Sequence, residues 1–382
     1  MLCCARTRIS AEVRDRIHSL VRGPLDWGAA YAGAIEHGVL ALVARNLLAV
    51  CPENIPEEWR NRLKADLLRI AQRNLFLTAE MLRLSRLFRA EGLFAVPYKG
   101  PLLAAQAYGD FGLRQFVDLD FAVQQREIFR AQAILLREGY TASFGEVPLT
   151  EGARPTLSEY QYIRPEGNVI VEVQTEATLR YFPHPLDLAA MGRTLMRVPL
   201  AGEEALTFST EDTLLLLSVH GAKHFWERLL WVADIAELLQ ANDGLDWDRA
   251  FARGEELRAG RMLRLALHVA HVMLDAPLPE EWKEKIETDS VTTKLGQGIR
   301  ARFSLKADAS LGVFERLQFR IKSRDSLRQG VSYAFRLATS PANPDRADLP
   351  LPGWFSGARA LLRPLLLARR YGLRRSKTDH GQ

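Results

Sequence analysis

From Ile9 to about Gly92, apolar residues recur at three- and four-residue spacing, the rhythm of helices that bury one face. Ala11–Val21, Trp27–His37 and Val39–Val50 read as short helices, and Pro56–Ala90 as one long helix or two. The rhythm then shortens. Phe94–Tyr98 and Val117–Val123 are apolar runs of strand length, and Arg126–Glu138 is an amphipathic helix after them. Leu157–Arg164 and Val169–Thr175 flank a Pro165-Glu166-Gly167-Asn168 turn, a hairpin signal. Ser143–Pro155, rich in Gly, Pro and polar residues, reads as a loop able to cover a site. Helical spacing resumes from Thr207. Ser209-Thr210-Glu211-Asp212 opens a helix with a capping box, predicted to run to about Gln240 before Asn242-Asp243-Gly244 stops it. Turn-rich breaks follow at Ser340–Pro344 and Leu349–Gly353. The order predicts an α+β fold, with residues 1–92 an N-terminal helical region, 93–206 an α/β core and 207–382 a C-terminal helical region.

The densest chemistry falls between the first two predicted strands. Asp118 and Asp120 lie two apart in the second, so they share a face. Adjacent carboxylates in an apolar strand repel one another and resist desolvation unless a cation lies between them. Oxygen-only ligation suits Mg²⁺, completed by phosphates and water. Before them, Lys99-Gly100-Pro101 opens a predicted helix over Leu102–Ala107, with Gly100 as its cap and Pro101 in the first position. Free backbone N–H groups there, with the Lys99 charge and the Arg114 fork, offer contacts for phosphate. Taken singly, a D-x-D is more often an edge-strand charge pair and Lys-Gly a plain turn. Taken in this order and spacing, they point to phosphoryl or nucleotidyl transfer.

A third carboxylate is available. Val169, Val171 and Val173 alternate with Ile170, Glu172 and Gln174, so Glu172 and Gln174 share a face. Glu172 is the candidate third metal ligand or acceptor base, set against a surface glutamate on a half-exposed strand.

On the later helix, His220, His224, Arg228, Trp231 and Asp234 recur at three- and four-residue spacing and line one face. Zinc is disfavoured, because Gly221, Ala222 and Lys223 leave no glutamate between the histidines as an H-E-x-x-H site requires. Two readings stand side by side. In one, Arg228 pairs with Asp234 and the histidines are satisfied inside the fold. In the other, Lys223, His224 and Arg228 face a cleft and hold triphosphate or substrate.

The Lys-Gly, Tyr, Arg and Asp-x-Asp series resembles the signature of a bacterial family of uncharacterised nucleotidyltransferases in the polymerase-β-like superfamily. The resemblance continues through Glu172 and the His220/His224 helix to the Pro-rich segment near Leu349–Pro352. It implies a small mixed polymerase-β-like sheet embedded between helical regions. It also implies catalytic and metal-holding roles for Asp118, Asp120 and Glu172, with Mg²⁺ (two ions) as cofactor and an NTP as substrate. Lys99, Gly100, Arg114, Lys223, His224 and Arg228 are the implied nucleotide contacts. The chain has Lys-Gly where better-studied members carry Gly-Ser, and Glu172 with Gln174 where the family often has Asp and His.

Composition narrows the picture only a little. The chain has 382 residues, 47% of them hydrophobic and 25% charged, which is ordinary for a soluble protein long enough for two domains. No apolar run is long enough to span a bilayer, the first residues lack a signal-peptide core, and three cysteines imply no disulfide framework, so a cytoplasmic setting is expected. Cys3-Cys4 reads as part of a disordered N-terminus. The net charge of +5 owes much to arginines between Arg359 and Arg375, interleaved with leucines. A C-terminal helix packing on the body accounts for that segment better than nucleic-acid or membrane binding does. The expected activity is transfer of a nucleoside monophosphate to an unidentified acceptor: a small molecule, a peptide or an RNA end. A non-catalytic nucleotide- or partner-binding protein on the same fold is the alternative, and a nucleic-acid binder a weaker third. Neither the acceptor nor the oligomeric state is legible.

Overall fold

In a computed structural model, the described residues are 1–143, 159–175, 194–304 and 311–339. The expected covering loop after Ser143, the two turn-rich breaks and the basic C-terminal segment lie outside them. Helices α1 (Ala11–Arg22), α2 (Trp27–Glu36) and α3 (Leu40–Val50) form as the periodicity predicts, and Glu57–Ala90 is one helix, α4. At 34 residues, α4 is roughly 50 Å long. The first residues depart from expectation. Cys4 and Ala5 are buried, and the Asn46 amide donates to the carbonyls of Cys4 and Arg6 at 2.8 and 2.7 Å, so this segment is packed down.

Strands β1 (Ala95–Tyr98), β2 (Asp118–Val123), β3 (Thr141–Ala142), β4 (Glu159–Arg164) and β5 (Val169–Gln174) make a five-stranded sheet in the order β1-β2-β5-β4-β3. β2 and β5 run parallel, and the other neighbours are antiparallel. The short helix α5 (Gly100–Leu103), continued by a wider π turn over Ala104–Tyr108, leaves β1; α6 (Ile128–Arg137) follows β2. A separate hairpin, β6 (Met196–Leu200) and β7 (Glu203–Thr207), was not foreseen. Its turn places Ala201 at φ 50° and Gly202 at φ 85°, so an alanine stands where Asn or Asp would have signalled the turn.

The two faces of the sheet enter two different cores, as period-two alternation requires. Leu119, Phe121, Val123, Val171 and Val173 pack with Leu77, Met81, Leu84 and Phe88 of α4 and with Ile128 and Ile134 of α6. Val96, Tyr98 and Ala122 belong to a second core made by the early helices and by the chain after Phe208. α4 serves both: Leu63 and Ile70 enter the second core, Leu77 and Phe88 the first. Each fully buried Leu or Phe contributes roughly 1.5–3 kcal/mol, so α4 ties the sheet to the helical body.

The helix predicted from Ser209 to Gln240 is two helices, α7 (Thr210–Lys223) and α8 (Leu229–Ala241). The break carries no Gly or Pro. Phe225 and Trp226 take left-handed backbone at φ 58° and 55°, and the Trp226 indole is seated over Gly221. Among the described residues no helix is long and apolar enough to cross a membrane.

Candidate active site

Lys99 ends β1 with φ 55° and ψ −147°, a region that side chains strongly avoid. Such a conformation costs roughly 1–3 kcal/mol and persists only when its surroundings fix it. Here the Leu103 N–H donates to the Lys99 carbonyl at 3.0 Å, and the ammonium reaches Asp120 Oδ1 at 3.2 Å. Gly100 follows at φ 42°, inside the first helical turn rather than capping it. Lys99 caps that turn instead.

The parallel register sets Asp120 directly beside Glu172, with Asp118 two residues earlier on the same face. The antiparallel register adds Gln161 opposite Glu172 and Glu159 opposite Gln174, and Tyr98 lies opposite Asp120. The result is a row of acids and amides across one face. Gln174 Nε2 donates to Asp120 Oδ1 at 3.0 Å, Gln161 Nε2 donates to Glu172 Oε1 at 3.2 Å, and the Tyr98 hydroxyl donates to Gln174. Burial, aided by the Asp118 and Glu159 charges, pushes the Asp120 carboxyl up to about 6 in spite of Lys99. Burial, then repulsion from Glu159, Asp120 and Asp118, pushes Glu172 up to about 7. Glu159 was missed in the sequence, although the alternation Glu159-Tyr160-Gln161-Tyr162 puts both polar residues on one face.

Arg114 has a different neighbour from the one expected. Its Nε and one terminal nitrogen grip Asp234 at 2.7 and 2.9 Å, and the Tyr108 hydroxyl donates to Asp234 at 2.7 Å. Burial opposes the guanidinium charge, but Asp234 more than offsets it and raises the pKa. Arg114, in the loop before β2, and Tyr108, at the end of the π turn, therefore both tie to α8 through Asp234, and Arg114 does not stand free for phosphate. Asp234 is accordingly not paired with Arg228, which is exposed at the start of α8.

Lys223 donates to Glu159 Oε2 at 3.1 Å, so the end of α7 meets the carboxylate row. Beside it, the rings of His220, His224 and Trp231 gather, with centroids 4.7 Å (His220–His224), 5.5 Å (His220–Trp231) and 5.1 Å (His224–Trp231) apart. Burial, then the Lys223 and Lys99 charges, pushes His224 down to about 4, and burial with Lys99 pushes His220 down as well. Both are neutral near pH 7.

The donor set on the sheet is all oxygen, which fits a hard divalent cation better than zinc. Among the described residues, no three His, Cys, Asp or Glu side chains already converge closely enough to grip a metal. Asp120 Oδ1 is instead bonded to Lys99 and Gln174.

A small mixed sheet with acids along one face and helices flanking it is an α+β architecture with a charged sheet face. Residues 23–275, more than half of the chain, match a family described as uncharacterised nucleotidyltransferase, and the chain belongs to that family. The match takes in the whole sheet, α7, α8 and the helix Gly260–Leu274. Nucleotidyl transfer is the general chemistry of such a family, and a transferase the class of enzyme. No curated protein matches the chain.

Proposed function

We propose that this protein transfers a nucleoside monophosphate from an NTP to an acceptor hydroxyl or similar nucleophile, with Asp118, Asp120 and Glu172 as the catalytic carboxylates. The observation that carries the reading is the register: Asp120 and Glu172 are direct cross-strand neighbours, and Asp118 shares their face. These three are the residues that would hold Mg²⁺. Bound there, the metal would neutralise phosphate charge and favour ionisation of the acceptor. Lys99, strained at the mouth of the row, brings one positive charge to the phosphates, with the Gly100 backbone beside it. Glu172 would either complete the metal's oxygen ligands or, left off the metal, take the acceptor's proton as the acceptor oxygen bonds to the α-phosphorus and pyrophosphate leaves. The division into an α/β core at 93–206 between helical regions belongs to the same proposal.

Asp118→Ala and Asp120→Ala are each expected to lower Mg²⁺-dependent pyrophosphate release by roughly 10³-fold or more, about 4 kcal/mol, with the fold intact. Screening the four NTPs with candidate acceptors supplies the assay. Wild-type-like turnover in both variants would remove the assignment. One observation favours a second reading, a non-catalytic nucleotide or partner binder: Lys99 already sits on Asp120. NTP binding by calorimetry with no pyrophosphate from any NTP or acceptor would favour that reading instead.

A further inference from the structure

The carboxylate row offers acids, amides and the Lys99 ammonium, all of them suited to phosphate and metal. The base of a nucleotide stacks on an aromatic ring, and the wall formed by α7 and α8 gathers three rings, tilted to one another by 53°, 84° and 34°. His220, His224 and Trp231 are each only partly covered, and their rings stand within 5.5 Å of one another. The trio adjoins the row through Lys223, bound to Glu159, and the Lys99 charge acts on both histidines. The Arg228 guanidinium lies over the Trp231 ring, 6.0 Å from its centre.

We infer that the ring cluster of His220, His224 and Trp231 is the surface on which the nucleotide's base rests, and is not part of the phosphate grip. This inference rests on the nucleotide-transfer reading. Stacking of a base on aromatic rings tolerates sequence and is worth enough to matter in binding. Neutral imidazoles add no charge for a phosphate but keep a π face for a base.

The backbone supports the same assignment. Two consecutive left-handed residues, Phe225 and Trp226, break the helix between His224 and Trp231. A Cβ on Gly221 would come within 2.5 Å of the Trp226 ring, so that glycine is what lets the indole seat and the turn close. A straight helix would carry His224 and Trp231 two turns apart along one axis. The strained turn instead fixes the ring of Trp231 5.1 Å from that of His224.

The test compares two probes on the full-length protein by calorimetry, with Mg²⁺ present throughout. One is each of the four NTPs; the other is inorganic triphosphate, which has the phosphates and no base. Trp231→Leu is expected to weaken binding of the preferred NTP roughly tenfold or more and to leave triphosphate binding unchanged, while Trp231→Phe keeps most of the affinity. If Trp231→Leu fails to fold, His224→Ser carries the same comparison. In the unmodified protein, the NTP is also expected to quench indole fluorescence, and Trp231→Phe to remove that quench. Equal losses for NTP and triphosphate, or no loss for either, would overturn the base platform while leaving nucleotide binding standing. Failure of the wild-type protein to bind any NTP would bring down both the platform and the reading beneath it.

Discussion

Asp234 and Asp120 are both buried, 1% and 5% exposed, yet they are met differently. Asp234 receives a two-pronged guanidinium and a phenol hydroxyl, so both oxygens are satisfied and its charge is matched. Asp120 receives one ammonium and one amide on a single oxygen, and stands in a row with Asp118, Glu172 and Glu159. A matched buried pair locks two elements together. A row with more negative than positive charge stores repulsion, and that repulsion is available to whatever cation or phosphate-bearing ligand arrives.

Removing one partner from each region should give opposite results for stability. Arg114→Met leaves Asp234 buried without its counter-charge and should cost about 3–5 kcal/mol, read as a fall in denaturation midpoint. Asp120→Asn keeps the shape, removes one of several like charges and should leave the midpoint near neutral pH unchanged or raised. A comparable loss in both variants would erase the distinction between the clamp and the site.

Glu80 extends the comparison to pH. It is 7% exposed and bonded to Arg83, Tyr140 and Arg164. Burial works against its charge, but these partners prevail and hold the carboxyl down at about 2, below its ordinary 4.5. Because the folded form ionises more readily than the unfolded, its contribution is complete above about 4.5 and is lost as pH falls toward 2. Glu80→Gln should remove on the order of 2–3 kcal/mol at pH 7 and flatten the acid limb of the stability curve. An acid limb identical to wild type would show that this network is not a matched one.

The sequence carried the acidic site more legibly than the clamp. Period-two alternation alone puts Asp118 with Asp120, and Glu172 with Gln174, because side-chain direction in a strand is a local property. Which strands become neighbours is not local, and here the D-x-D had to be joined to Glu172 by the family's pattern. Arg114 and Asp234 are 120 residues apart, and nothing near either one names the other. The helix break at His224–Arg228 was equally silent. Phe225 and Trp226 are poor markers of a turn, and they bend the chain because Gly221 leaves room for the indole. Lys99 misled in a smaller way: a glycine follows it, yet the lysine itself carries the strained backbone.

The smallest expected effect lies where the two regions of charge meet solvent. Lys223 and Glu159 are 33% and 37% exposed at the side chain and 3.1 Å apart. A pair so open to water gains little, because screening and side-chain entropy offset the attraction, and about 0–1 kcal/mol is the usual range. Lys223→Met should therefore change stability by less than about 1 kcal/mol at moderate salt. Its other consequence is specific to place. Without Lys223, the row loses a nearby positive charge and Glu159 stands free against Glu172, so the repulsion across the sheet face rises. Binding of Mg²⁺ alone, by calorimetry, should then strengthen or hold steady, whereas binding of inorganic triphosphate should weaken. A large stability loss in Lys223→Met, matching that of Arg114→Met, would mean that the end of α7 is clamped like α8. The boundary between a rigid frame and a charged working face would then have to be drawn elsewhere.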